Sequence, residues 1–340
     1  MASLKEIKNR IGSVRSTLKI TSAMKLVASA KLRKAQQAVA AALPYQQTLS
    51  EVLSTLLADY AAKHREGKNA GAAPWEAFSR ESDGGRVAIV AVSSNSSLCG
   101  GFNANAIRGT LAALSDAPDA TVFSIGRKMA DAMKKAGHPS PVMPSDSEGI
   151  SSTAQDFSRL AEHPSYDGAA ALAEELIKGF LERRYSRVEL IYNHFASTAS
   201  QPTVRETLLP FSGAPVMPSD SSPVMPSDSS PVMPSNSEGI SSTSGDTLGL
   251  RPRYDNAVDC LVEPSSGELI EELLPKVLKF KLYSVLLDSA AAEHAARTVA
   301  MQMATDNAED LLRDLTLEYN KSRQQKITAE ILDLVGGSLL

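Results

Sequence analysis

The chain has 340 residues, a formal net charge of −4 and 43% hydrophobic residues, with aromatics at only 5%. No run of about 18 apolar residues occurs, which excludes a membrane-spanning helix. Two distant cysteines, Cys99 and Cys260, exclude a zinc spacing or a disulfide framework and read as buried thiols. Plentiful Ala favours long, closely packed helices, and the start MASLKEIKNR lacks the apolar core of a signal peptide, so a cytoplasmic bacterial protein is expected.

Residues 1–60 read as one long helix. Apolar or small residues recur at alternating steps of three and four: Leu4, Ile7, Ile11, Val14, Leu18, Thr21, Ala28, Leu32, Ala35 and Val39. This is heptad spacing, interrupted by Lys25, and the helical pattern resumes beyond Pro44 with Leu49, Val52, Leu53 and Leu56. A helix of that length requires a coiled-coil partner. Residues 1–35 carry nine basic side chains against one acid, Glu6, a balance of +8. Residues 288–340 carry nine acids against five bases, a balance of −4. The basic end calls for an acidic partner.

Residues 61–85 are a polar, Gly-containing connector. From 86 to 264 the pattern changes to strands alternating with helices. Arg86–Ser94, Thr121–Gly126 and Arg187–Phe195 are buried-strand runs, with Thr203–Leu209 and Ala257–Val262 as weaker strands. Helices are expected at Asn103–Leu114, Arg127–Ala136 and Asp167–Arg184. The alternation predicts a Rossmann-like α/β domain with a largely parallel sheet. Within it, PVMPSDSEGISST (141–153) and PVMPSNSEGISST (231–243) nearly repeat, with two PVMPSDSS copies between them. Such composition cannot bury a core, so 212–250 reads as a low-complexity surface loop.

Residues 265–340 form the second long helix, free of Pro and Gly from Lys276 to Val335. A helical face runs through Val285, Ala292, Ala296, Val299, Met303, Leu311, Leu312, Leu315 and Tyr319. Two long terminal helices flanking one compact domain can pair only antiparallel. The fold class is therefore α/β, with a long antiparallel coiled coil built from the two chain ends.

Catalytic chemistry is sparse. GGFNAN (100–105) between a strand and a helix hints at a phosphate cradle but lacks the full glycine fingerprint. Five scattered histidines show no metal spacing, and no Gly-x-Ser-x-Gly elbow occurs.

Both termini resemble the gamma-subunit family of F-type ATP synthases. LKITSAMKLVASAKLRKAQ (18–36) is similar to its N-terminal signature, and EHAARTVAMQMATDNAEDLLRDLTLEYNKSRQQKITAEILDLVGG (293–337) to its C-terminal one. SSNSSLCGGFNAN (93–105) resembles its strand-end loop, with Asn95-Ser96-Ser97 in place of the usual Asp-Arg-Gly. The resemblance implies a non-catalytic rotor shaft, without a cofactor or metal. It would thread a ring of three alpha and three beta subunits and stand with epsilon on the c-ring. Rotation driven by protons would be coupled to ATP synthesis or hydrolysis at the beta sites. The chain would touch the membrane only through the c-ring, on the cytoplasmic face of the bacterial inner membrane.

The resemblance also implies site residues. Met24 and Lys25 match the position facing acidic beta-subunit loops. Arg323, Gln324, Thr328 and Glu330 match the polar cluster that bonds to beta, and Arg297 matches a supporting shaft position. From the residues alone two readings of Lys25 stay open: a contact with another protein, or a register-setting polar group inside the coil. Two other classes compete with the rotor, a nucleotide-dependent α/β enzyme and a nucleic-acid binder using the basic helix. Against the latter, and for no nucleic-acid partner, stand the apolar heptads and a pI near 5.8.

Overall fold

The computed structural model describes residues 4–64, 74–79, 85–138, 157–211, 262–263 and 265–337. In chain order the elements are α1 (Leu4–His64), a 3-10 turn (Pro74–Phe78), β1 (Arg86–Val92), α2 (Phe102–Asp116), β2 (Thr121–Ile125), α3 (Arg127–Lys135), α4 (Ser158–Glu162), α5 (Tyr166–Leu181), β3 (Tyr185–Asn193), β4 (Thr203–Leu209) and α6 (Ser266–Gly337). Cys260 and the repeats at 141–153 and 212–250 lie outside the described residues. So does the strand expected at Ala257–Val262, apart from Val262, which is in no strand.

The two long helices pair antiparallel. Hydrogen bonds join Thr305 to Thr21 at 3.1 Å, Ser284 to Gln46 at 2.7 Å and Ser266 to Asp59 at 2.5 Å. Residue numbers thus rise along α1 as they fall along α6. Each helix passes through one proline, Pro44 and Pro275. A proline lacks the amide hydrogen for its helical bond, and the helix continues because the partner packs on both sides of the gap.

The predicted stripe of α1 faces α6: Ile7, Thr21, Ala28 and Leu32 are buried, and Leu4, Ile11, Val14, Leu18, Ala35 and Val39 are half-buried. On α6 the upper seam is Met301, Thr305, Ala308, Leu312, Leu315, Tyr319 and Ser322, alternating four and three. This corrects the expected helical face, because Met303 is 60% and Leu311 42% exposed. Ala292 and Ala296, lower on the expected face, pack on the foot rather than on α1, so continuing their stripe upward reaches neighbours of the true seam.

The sheet order is β2-β1-β3-β4. β1 pairs in parallel with β2 (Val90 with Phe123) and β3 (Val90 with Leu190), while β4 runs antiparallel to β3 (Ile191 with Arg205). Alternation along β1 splits its side chains between two cores. Ala88, Val90 and Val92 join Leu172 and Leu176 of α5, Leu53 and Leu56 of α1, and Ile270, Leu274 and Leu278 of α6. Ile89 and Ala91 face Ala106 and Ala113 of α2 and Met129 and Met133 of α3. Each fully buried Leu or Ile contributes about 1.5–3 kcal/mol. The lower halves of the long helices are therefore part of the domain's core, and the rod grows out of the body.

Candidate functional site: the rod surface and its junction with the body

In open α/β sheets the natural ligand crevice lies beyond the carboxyl ends of the strands, where successive connections leave in opposite directions. Here that point is β1, flanked by β2 and β3, and α6 fills it. Cys99, Phe102, Ala292 and Ala296 form a small buried cluster with Phe195 against it. Gly100 has φ +57°, and a Cβ there would sit 3.7 Å from the Ala300 side chain. The loop after β1 is bound internally as well. Asn103 accepts from the Ser94 amide at 3.0 Å and donates to the Ser96 carbonyl at 3.2 Å. The first turn of α3 spends its free amides on the same loop. Arg127 donates to the Asn95 side chain at 3.0 Å, Lys128 to the Ser94 carbonyl at 3.2 Å and Met129 to the Ser93 hydroxyl at 2.9 Å. The phosphate-cradle reading of 100–105 thus meets a tight strand-to-helix turn packed on the rod.

Polar contacts complete the junction. The Arg297 guanidinium pairs with Glu293 at 2.7 Å and donates to the Ser96 hydroxyl at 2.8 Å. Asp288 holds His194 Nδ1 at 2.6 Å and accepts from the Phe195 amide at 3.1 Å. Lys281 pairs with Glu206 at 2.9 Å. The hydrogen bond to Asp288 raises the His194 pKa, against the opposing effect of burial. Burial, reinforced by Arg297 and Lys31, holds His294 down at about 4. Burial also pushes the Glu293 carboxyl up, and Arg297 pulls it back.

The residues singled out from sequence fall into three groups. Met24 and Lys25 are half-buried on α1 beyond the body, one heptad step from the Thr21–Thr305 contact, and Lys25 makes no ion pair among the described residues. Arg323, Gln324, Thr328 and Glu330 are all exposed on the last stretch of α6. Ser322 is the last half-buried position among the described side chains, and residues 323–337 continue the helix past the described start of α1, for about 22 Å. Among the described residues Thr328 bonds its own helix, to the Gln324 carbonyl at 2.9 Å, and Glu330 approaches Lys326 at 3.8 Å. Arg297 lies apart from both groups, 12% exposed at the junction. Sequence reasoning missed Ser96, His194, Glu293 and Asp288, whose partnerships reach 201 residues for Ser96–Arg297 and 94 for His194–Asp288.

The upper rod also exposes large apolar side chains: Ile20 at 60%, Leu26 at 68%, Val27 at 58% and Leu317 at 65%, with Ile331 and Leu332 near the tip. A bare rod of two helices, rooted in a Rossmann-like body and apolar along its outside, defines a stalk protein whose working part is its surface. The sequence matches the ATP synthase family over residues 3–339, and the chain belongs to that family. It is 45% identical over 344 residues to the ATP synthase gamma chain of Phocaeicola vulgatus, with 100% of both chains covered. It is 41% identical to that of Bacteroides thetaiotaomicron, again over 100% of both, and 37% identical to that of Parabacteroides distasonis over 99% of both. The fold is similar to the rotor of Euglena gracilis mitochondrial ATP synthase, with a TM-score of 0.53 and 17% identity, covering 95% of this chain and 98% of that one.

Proposed function

We propose that the chain is a non-catalytic torque shaft that carries rotation between a c-ring at its foot and the alpha and beta subunits around its rod. The observation that carries this reading is the occupation of the ligand crevice by α6, which leaves the exposed rod as the working surface. From Met301 to the end of α6 the rod runs about 55 Å beyond the junction, at 1.5 Å per residue. A stiff rod transmits torque only if its cross-section is uneven. This one is basic along α1, acidic along α6, and apolar in patches.

Lys25, half-buried and without an ion pair among the described residues, is offered to acidic beta-subunit loops together with Met24. Arg323, Gln324, Thr328 and Glu330 on the single-helix tip offer hydrogen bonds to the same subunits. Arg297 supports that surface from below by holding the shaft on the foot. The Rossmann-like foot stands with epsilon on the c-ring, so the chain is peripheral, on the cytoplasmic face of the bacterial inner membrane. No helix among the described residues is long and apolar enough to cross a membrane. No metal-ligating cluster occurs among them either.

Co-expression with the alpha and beta subunits tests this reading. One copy should co-purify per three beta subunits, and the isolated chain should hydrolyse no ATP. Nucleotide hydrolysis by the isolated chain, lost on replacing Gly100 and Gly101 with bulky residues, would instead make it an enzyme.

A further inference from the structure

We propose that three polar contacts along α6, made by Lys281, Asp288 and Arg297, form a torsional clasp that fixes the angle of the foot on the shaft. Lys281 reaches Glu206 on β4, Asp288 reaches His194 and the Phe195 amide at the end of β3, and Arg297 reaches Ser96 in the loop after β1. The three anchor points thus belong to three separate parts of the foot. They span 16 residues of α6, about 24 Å.

Direction matters more than number. Lys281 and Asp288 are seven residues apart, close to two full turns, and share one side of α6. Arg297 is nine residues beyond Asp288, two and a half turns, and leaves from the opposite side. The foot therefore holds the helix at three heights and in more than one direction, in addition to the apolar core. Between the grips, Ala292 is fully buried and packs with Ala296 on Cys99 and Phe102 of the foot. Smooth alanine packing resists separation but permits slip, whereas a charged hydrogen bond has a fixed direction. The partners are shielded as well: Arg297 and Glu293 are 12% and 11% exposed, and His194 and Asp288 are 16% and 17%. These residues are positioning residues for rotary coupling, and their role rests on the shaft reading above.

The test uses the assembled complex, fixed by its head, with a magnetic bead on the foot. With the motor stalled, the angular variance of the bead reports torsional stiffness. Three equal contacts bearing the whole load would make the loss of one raise the variance about 1.5-fold. The buried core that α6 shares with the sheet carries part of the load, so a rise of up to about 1.5-fold is expected. Asp288→Ala, which frees His194 and the Phe195 amide, and Ser96→Arg, which sets a like charge against Arg297, should each give such a rise. The double variant should widen it further, by up to about 3-fold, the core carrying the rest. Free-running ATP hydrolysis should stay within about 2-fold of the parent, because the clasp lies off the beta sites. Glu271→Ala, at an exposed site on α6, serves as the control and should leave the variance unchanged. If a variant fails to assemble, His194→Gln and Ser96→Ala carry the same test with a smaller increase. Unchanged variance in the variants that assemble would overturn the clasp. A parent complex whose bead never turns under ATP would instead overturn the shaft reading.

Discussion

Thr21 and Thr305 meet inside the rod, 284 residues apart in sequence, with Thr305 donating to Thr21 at 3.1 Å. Thr21 passes its own hydrogen to the Leu18 carbonyl at 3.1 Å. Both hydroxyls are buried, and a one-residue slip of either helix would leave them facing apolar neighbours. Such a polar pair in the upper, otherwise mostly apolar seam fixes axial register at modest cost in stability, as Ser284–Gln46 and Ser266–Asp59 do lower down.

Replacing Thr305 with Ala should cost about 1 kcal/mol, since Thr21 keeps its bond to Leu18. Ala28→Leu should cost more, about 1–3 kcal/mol, because Ala28 is 2% exposed and the helices must part to admit the larger side chain. Chemical denaturation of the isolated chain measures both. Equal, negligible losses would mean that the upper rod is not tightly paired.

Lys25→Glu should leave the complex assembled but impair coupling. The substitution reverses a charge on a half-buried site that pairs with nothing among the described residues. Proton pumping driven by ATP in membrane vesicles is the measurement, and pumping at the parent rate would refute the assignment of Lys25.

Two histidines should shape stability against pH in opposite senses. The His194 pKa is raised by Asp288, with Glu206 adding to it and Lys281 opposing. Its contribution is complete below the unfolded value near 6.5 and fades as pH rises through the folded value. His294 is held down at about 4 by burial, with Arg297 and Lys31 adding and Glu162 opposing. The unfolded state binds that proton first, so stability falls as pH drops from about 6.5 towards 4, by about 1–3 kcal/mol after screening. His294→Gln should flatten the acid limb of the stability profile, and His194→Gln the alkaline one. Thermal unfolding between pH 4 and 8 reads both changes.

Deleting residues 327–337 should leave the unfolding midpoint of the isolated chain within about 2 °C, because those side chains are exposed where described and pack on nothing there. The same deletion should weaken retention of the chain by the alpha and beta subunits, measured by gel filtration at low concentration. Loss of folding would contradict the single-helix tip.

The rod is legible in the sequence because a heptad seam repeats one simple rule, and of the fourteen α1 positions named, all but Val52, which is 41% exposed, lie buried or half-buried. Even Thr203–Leu209, a weak strand signal, forms β4 with those bounds. The failures have physical causes. Met303 and Leu311 continue the stripe of Ala292 and Ala296, which faces the foot and not α1. The 3-10 turn Pro74–Phe78 was passed over as connector, although a Pro opening a turn and the chain's only Trp stand there, with Trp75 edge-on to Tyr60 at 5.5 Å. The junction was invisible for a different reason. Pairs such as His194–Asp288 depend on the angle at which the foot meets the rod, and no local pattern encodes an angle.

A shaft of this kind turns as a rigid body inside a ring of other subunits. Single-molecule observation of a bead on the foot, with the alpha and beta subunits immobilised and ATP supplied, tests it most directly. The account predicts rotation in one direction with three dwell positions per turn, one for each beta subunit. Continued hydrolysis while the foot stands still would contradict it.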